Sequence, residues 1–212
     1  MPHFLKTRAT TAAPLCTAAV ILFSALSLSL GLAAGPTHAD GLVIRKGVAV
    51  DDNGVAARSR AGVTNGEGEG AFRRGGVAAD GQGNGLARFG TCANGQNGSG
   101  CRGGSASWNA DGSFTRNLGT EASGENGSVS SRRSLTRDSD GNLTGASSVD
   151  ASGKNGSYAG DASLDDGTYS RDATYADDEG QSASVDSTYE RGTGGSRSVT
   201  CIDASGAVVA CP

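Results

Sequence analysis

Glycine returns along this chain at a fixed step. Gly54, Gly83, Gly112 and Gly141 lie 29 residues apart, and Gly98, Gly127 and Gly156 form a second series at the same step. The series interleave at gaps of 15 and 14, so one unit of 29 residues holds two turns and two intervening segments. Self-similarity at this step marks a repeat architecture, in which each unit packs only against its neighbours. After Gly156 the step shortens, at Gly167, Gly180, Gly194 and Gly206, as expected toward a terminal cap.

The segments between glycines have the period of a strand. From Phe114 to Tyr189, large apolar residues recur at alternate positions with small or polar ones between: Val129, Ser131, Arg133, Leu135, then Leu143, Gly145, Ser147, Val149. Two further cycles read Tyr158, Gly160, Ala162, Leu164 and Tyr169, Arg171, Ala173, Tyr175. Period two puts each such set on one face of a sheet. The predicted fold is all-β, an up-and-down antiparallel meander of tandem hairpins with roughly 11 or 12 short strands. The competing architecture is a parallel β-solenoid with two strands per 29-residue coil.

Turn chemistry refines the hairpin reading. Asp52-Asn53-Gly54, Ala110-Asp111-Gly112 and Asp140-Gly141 read as short turns, alternating with longer glycine-rich ones at Asn94 to Gly98 and Ser123 to Gly127. On that reading Leu135 faces Leu143, Val149 faces Tyr158 and Leu164 faces Tyr169. The pairs make two apolar rails along the margins of one face, with Gly, Ala and Ser between. The opposite face carries Thr168, Ser170, Asp172, Thr174 and Ser184, Asp186, Thr188, which suit water. Gly41 to Val50 predicts the first strand or strand pair, and Val199 to Ile202 with Val208 to Cys211 a closing hairpin.

The N-terminus reads as a secretory leader. Lys6 and Arg8 precede an apolar run from Leu15 through Leu32, and Thr37-His38-Ala39 ends in small residues, which predicts cleavage after Ala39. A membrane anchor is the competing reading of that run. Residues 40–212 then form a single β-repeat domain with 16 basic and 22 acidic residues, a formal charge of −6, which does not suit nucleic acid. Cys92, Cys101, Cys201 and Cys211 remain, and in an exported chain the two close pairs predict disulfides, although three connectivities are open.

Composition argues the other way. Large apolar residues number 28 among residues 40–212, and Leu, Ile, Val and Phe supply 23 of these. That share falls in the range of disordered chains. The phase of the apolar residues, the low charge density and the cysteines favour a folded sheet.

Both histidines, His3 and His38, fall in the leader, so neither a Ser-His-Asp triad nor a Cys-His pair can be assembled afterwards. Asp165-Asp166 and Asp177-Asp178 fall in predicted turns, where Asp serves the backbone, so no catalytic residue is assigned. Asp138 to Asn142 begins like a calcium loop, but Gly is fourth rather than sixth and Val149 stands where Glu is needed. No metal or cofactor is expected. Arg74, Arg88, Arg116 and Arg171 each stand two places after a large apolar residue, which suggests a row for an anionic ligand such as a surface polysaccharide.

The expectation is an exported, non-enzymatic β-repeat protein, secreted or periplasmic, with a structural or surface-interaction role. The alternative is a carbohydrate- or ion-binding module using that arginine row or the Asp-rich turns. A thin apolar face with no amphipathic helix to cover it also predicts self-association or a partner.

Overall fold

The computed structural model describes residues 39–211, which form one open antiparallel sheet whose thirteen strands lie in chain order. The strands are β1 (Ala39–Asp51), β2 (Gly54–Asn65), β3 (Gly70–Asp80), β4 (Gly85–Gly95), β5 (Gly98–Trp108), β6 (Phe114–Gly124) and β7 (Gly127–Arg137). They continue as β8 (Leu143–Gly153), β9 (Gly156–Asp165), β10 (Thr168–Asp177), β11 (Ser182–Glu190), β12 (Gly194–Ile202) and β13 (Val208–Val209). Every strand pairs antiparallel with its sequence neighbour, so the meander holds and the solenoid does not. Residues 1–38 of the expected leader lie outside the described residues, and the expected cut falls after Ala39, the first residue of β1.

Most turn lengths are the reverse of the sequence expectation; Asp52-Asn53 is the exception, a two-residue turn as expected, because Asp51 pairs with Gly54. Gln96-Asn97, Glu125-Asn126 and Lys154-Asn155 are two-residue turns, because Gly95 pairs with Gly98, Gly124 with Gly127 and Gly153 with Gly156. The glycines there belong to the ladder. At Gly127 φ is +138°, and an added Cβ would collide with the Ser152 carbonyl across the strand. Only glycine meets both conditions.

The turns at Ala110 to Gly112 and Asp140-Gly141, expected to be short, are five-residue closures. Asp138 N–H donates to the Asn142 carbonyl at 3.1 Å and Gly141 N–H to the Asp138 carbonyl at 3.2 Å. The Asp138 carboxylate accepts from Asn142 N–H at 2.9 Å and from its side-chain amide at 2.8 Å. Gly141 supplies φ +93°. The same Asp/Asn-x-x-Gly-x closure recurs from Asn65, Asp80, Asn109, Asp177 and Asp203, each giving its own N–H to the carbonyl of the fifth residue, and Asn65, Asn109 and Asp203 also receive the N–H of the fourth, a glycine, at their own carbonyl. A short polar side chain at the first position and glycine at the fourth are what this loop demands.

At two of the three expected pairs the register is moved by two residues. Leu164 lies opposite Tyr169 as expected, but Leu135 lies opposite Gly145 and Val149 opposite Gly160. Leu143 and Tyr158 are therefore diagonal neighbours of Leu135 and Val149. A shift of two keeps each side chain on its face. Following the pairings from strand to strand, an apolar face holds every exposed large apolar side chain except Val43, Phe72, Leu86 and Val208.

No described residue is buried, so the fold is a single layer without a core. Packing happens on the apolar face, between a large residue and the gap beside it. The row Gly75, Phe89, Gly104, Leu118 runs across β3 to β6 as direct cross-strand neighbours. A Cβ on Gly104 would stand 2.7 Å from Leu118 Cδ2 and 3.1 Å from Phe89 Cε1. Trp108 likewise covers Gly85 opposite it. Two disulfides brace the sheet: Cys92–Cys101 joins direct partners on β4 and β5, with Cα atoms 4.0 Å apart, and Cys201–Cys211 ties the chain after β13 to β12, at 5.4 Å.

Candidate functional site

The four arginines expected to form a row do not share a face. Arg74 and Arg88 stand with Phe72 and Leu86 on the polar face, while Arg116 and Arg171 stand on the apolar one. Each keeps the side of its apolar neighbour, as period two requires, but the register places Phe72 and Leu86 out of phase with the other large residues.

The apolar face nevertheless gathers cations that the row omitted. Lys46, Arg73, Arg102, Arg133, Arg137 and Arg197 join Arg116 and Arg171 there. Among the strand side chains from Gly41 onward, the one carboxylate in phase with this face is Asp177, at the end of β10, with Glu69 and Asp203 in phase just beyond the ends of their strands. The Asp177 oxygen accepts the Gln181 and Glu179 N–H groups within its own loop, at 2.7 and 3.1 Å. The ion pair Arg132–Glu121, 3.9 Å and exposed, belongs to the polar face. Between its margins the apolar face is thus charged with one sign.

The cations lie between the rails, except Arg137, which stands in one rail between Phe114 and Leu143. Arg133 and Arg171 occupy the central row, with Arg197 two strands beyond Arg171 across Ser187. Leu42, Val129, Tyr158 and Tyr175 lie along one margin, and Val50, Trp108, Phe114 and Leu143 along the other. Near β9 to β12 the face dips into a shallow, open depression of about 280 Å³, lined by Tyr158, Arg171, Tyr175, Val185 and Arg197 among others. Arg171 donates to the Tyr158 hydroxyl at 3.1 Å, and that bond raises its pKa further, so it stays charged. Two guanidinium groups and two phenols with no carboxylate among them suit an anion.

The carboxylates considered for catalysis or metal binding serve the turns. Asp165 ends β9 opposite Thr168, and Asp166 occupies a two-residue turn with φ 38°. Both oxygens of Asp138 are engaged by Asn142. Hydrogen bonds from Asn84, Ser113, Asn142 and Ser205, side chains first, hold Asp80, Asp111, Asp138 and Asp203 below the ordinary carboxylate range. Among the described residues no group of three or more His, Cys, Asp or Glu is placed to hold a metal ion, and no helix is long and apolar enough to cross a membrane.

Sequence reading missed Arg133 and Arg197 because it took Arg only after a large apolar residue. Parity alone would have found them, since both are in phase with Val129 and Val199. No family model matches this chain, and no curated protein or solved structure matches it either.

Proposed function

We propose that this is an exported, non-enzymatic binding protein whose apolar face takes an extended anionic polymer, a surface polysaccharide bearing carboxylate or sulfate groups. The observation that carries this reading is the single sign of charge on that face, set between apolar rails. Guanidinium groups in a row give bidentate hydrogen bonds to oxyanions, and the margins offer Tyr and Trp rings with both an apolar body and a polar tip. A polymer laid across the strands meets one such group after another. The two disulfides fit an oxidising compartment, which supports export to the periplasm or cell exterior.

The test is retention on immobilised polygalacturonate and on neutral dextran. Binding to the acidic polymer alone, weakened by salt, is expected. The combined variant Arg116→Ala/Arg133→Ala/Arg171→Ala/Arg197→Ala loses at least about tenfold in affinity, whereas Arg58→Ala/Arg88→Ala on the opposite face retains it. Equal binding to dextran, or unchanged binding by the fourfold variant, overturns the reading.

A further inference from the structure

The polar face carries a charge pattern that the proposed ligand does not use. Its central row, read strand by strand from β1, is Arg45, Arg60, Arg74, then Gly90, Gly103, Gly119. It continues from β7 as Arg132, Ser148, then Asp161, Asp172, Asp186, and ends at Ser198. Three arginines are direct cross-strand neighbours at one end, and three aspartates at the other. All six are exposed.

Within one chain both triplets are unfavourable, because like charges directly opposite on a sheet repel. Asp172 registers this: its bond with Asp186, with further repulsion from Asp186 and Asp161, raises its carboxyl pKa above the ordinary range. The chain supplies neither triplet with a counter-charge on adjacent strands. The two triplets are, however, matched to each other in length, spacing and row.

We propose that two copies of this chain pack polar face to polar face about a two-fold axis along β6. Such an axis sets strand n against strand 12 − n of the second copy. Arg45 then faces Asp186, Arg60 faces Asp172 and Arg74 faces Asp161, and the symmetry repeats all three pairs. An isologous contact of this kind closes on itself and buries the same patch on both copies.

The neighbouring positions accept the arrangement. Gly90, Gly103 and Gly119 leave the centre of the row free of side chains beyond Arg132 and Ser148, so the sheets can approach. In the flanking rows large residues meet small ones, Phe72 against Ala159 and Arg88 against Ala146. Glu121 meets its own copy at the axis, but Arg132 pairs with it in each chain. Eleven overlapping strands at about 4.8 Å spacing and about 35 Å length cover roughly 1,800 Å² per copy, well above the ~800 Å² of an ordinary stable interface. The apolar face does not offer this match, since a second copy would set cations against cations there.

The experiment is sedimentation velocity on the oxidised chain with two charge-reversed variants, Arg45→Asp/Arg60→Asp/Arg74→Asp and Asp161→Arg/Asp172→Arg/Asp186→Arg. The unaltered chain is expected to dimerise at low salt and to lose at least about tenfold in affinity between 50 and 500 mM NaCl. Each variant alone is monomeric, and their equimolar mixture restores a dimer. With Arg60→Lys, carbodiimide cross-linking joins Lys at that position to Asp172 of the second copy, as mapped by mass spectrometry. A chain that stays monomeric at low salt overturns the proposal. So do variants that dimerise as the unaltered chain does, an open-ended polymer, or a cross-link confined to one chain.

Discussion

Single residues act here mainly by what they leave room for or hold closed. Gly104 is the clearest case, since an added methyl would press on Leu118 Cδ2, Phe89 Cε1 and the Asn117 carbonyl, the last at 2.5 Å. Gly104→Ala is expected to destabilise the sheet by roughly 1 to 3 kcal/mol through overpacking, read by urea titration, whereas Gly81→Ala, with nothing within 4 Å, leaves it unchanged. The loop aspartates set the acid limit. Because folding lowers the pKa of Asp80, Asp111, Asp138 and Asp203, their stabilisation is complete above the ordinary carboxylate pKa of about 3.9. It is lost as pH falls through the lower folded values. Asp172 runs the other way: its raised pKa means that protonation relieves repulsion as pH falls through that value. Asn65 and Asn109 close the same loop with an amide, so Asp138→Asn is expected to melt near the unaltered temperature at pH 7 and to lose less between about pH 4 and pH 2. A steeper acid loss in the variant would contradict the assigned role.

At the scale of the strand and its turn, most of the architecture was legible. Period two in Val129 to Leu135 and Tyr169 to Tyr175 identified the strands, and the glycine steps of 15 and 14 placed the turns. What misled was treating glycine as a sign of loop length. Gly95, Gly98, Gly124 and Gly127 are ladder residues, while Asp138 to Asn142 is a true loop held by its own side chains. Only the hydrogen-bond pairing separates these cases. The site was less legible for the same reason: whether Arg74 shares a face with Arg116 depends on every register between β3 and β6. The triplet Arg45, Arg60, Arg74 did carry a signal, since its spacings of 15 and 14 repeat those of the glycines. The closing hairpin was read correctly from Cys201 and Cys211, and it makes the most local prediction. β13 has only two residues, so the disulfide supplies most of what fixes it. Cys201→Ser/Cys211→Ser is expected to abolish amide protection at Val208 and Val209 while β5 to β8 keep theirs, with a loss of roughly 2 to 3 kcal/mol confined to this end. Loss of protection across the whole sheet would show a larger role.

For the whole molecule, the decisive property is one layer in which each strand touches only the strands beside it in sequence. Such an array has no interior to lose on unfolding. In globular proteins the heat capacity of unfolding, about 12 to 15 cal/mol/K per residue, arises mainly from apolar surface exposed to water. Here Val48, Val50 and Tyr189, among others, already face solvent in the folded sheet. The two outer faces therefore govern cohesion: on the readings proposed above, a polymer on one and a second copy on the other add burial that the chain alone lacks. Calorimetry at low concentration in high salt, without polymer, is expected to give a heat capacity per residue clearly below about 12 cal/mol/K. The transition is broad, because nearest-neighbour coupling lets the ends melt before the middle. If the polar faces pair at low salt and high concentration as proposed, the transition sharpens and moves up with protein concentration, as mass action requires. A sharp, concentration-independent transition of ordinary heat capacity would mean that the chain covers one of its own faces, and neither face would then be free for a partner.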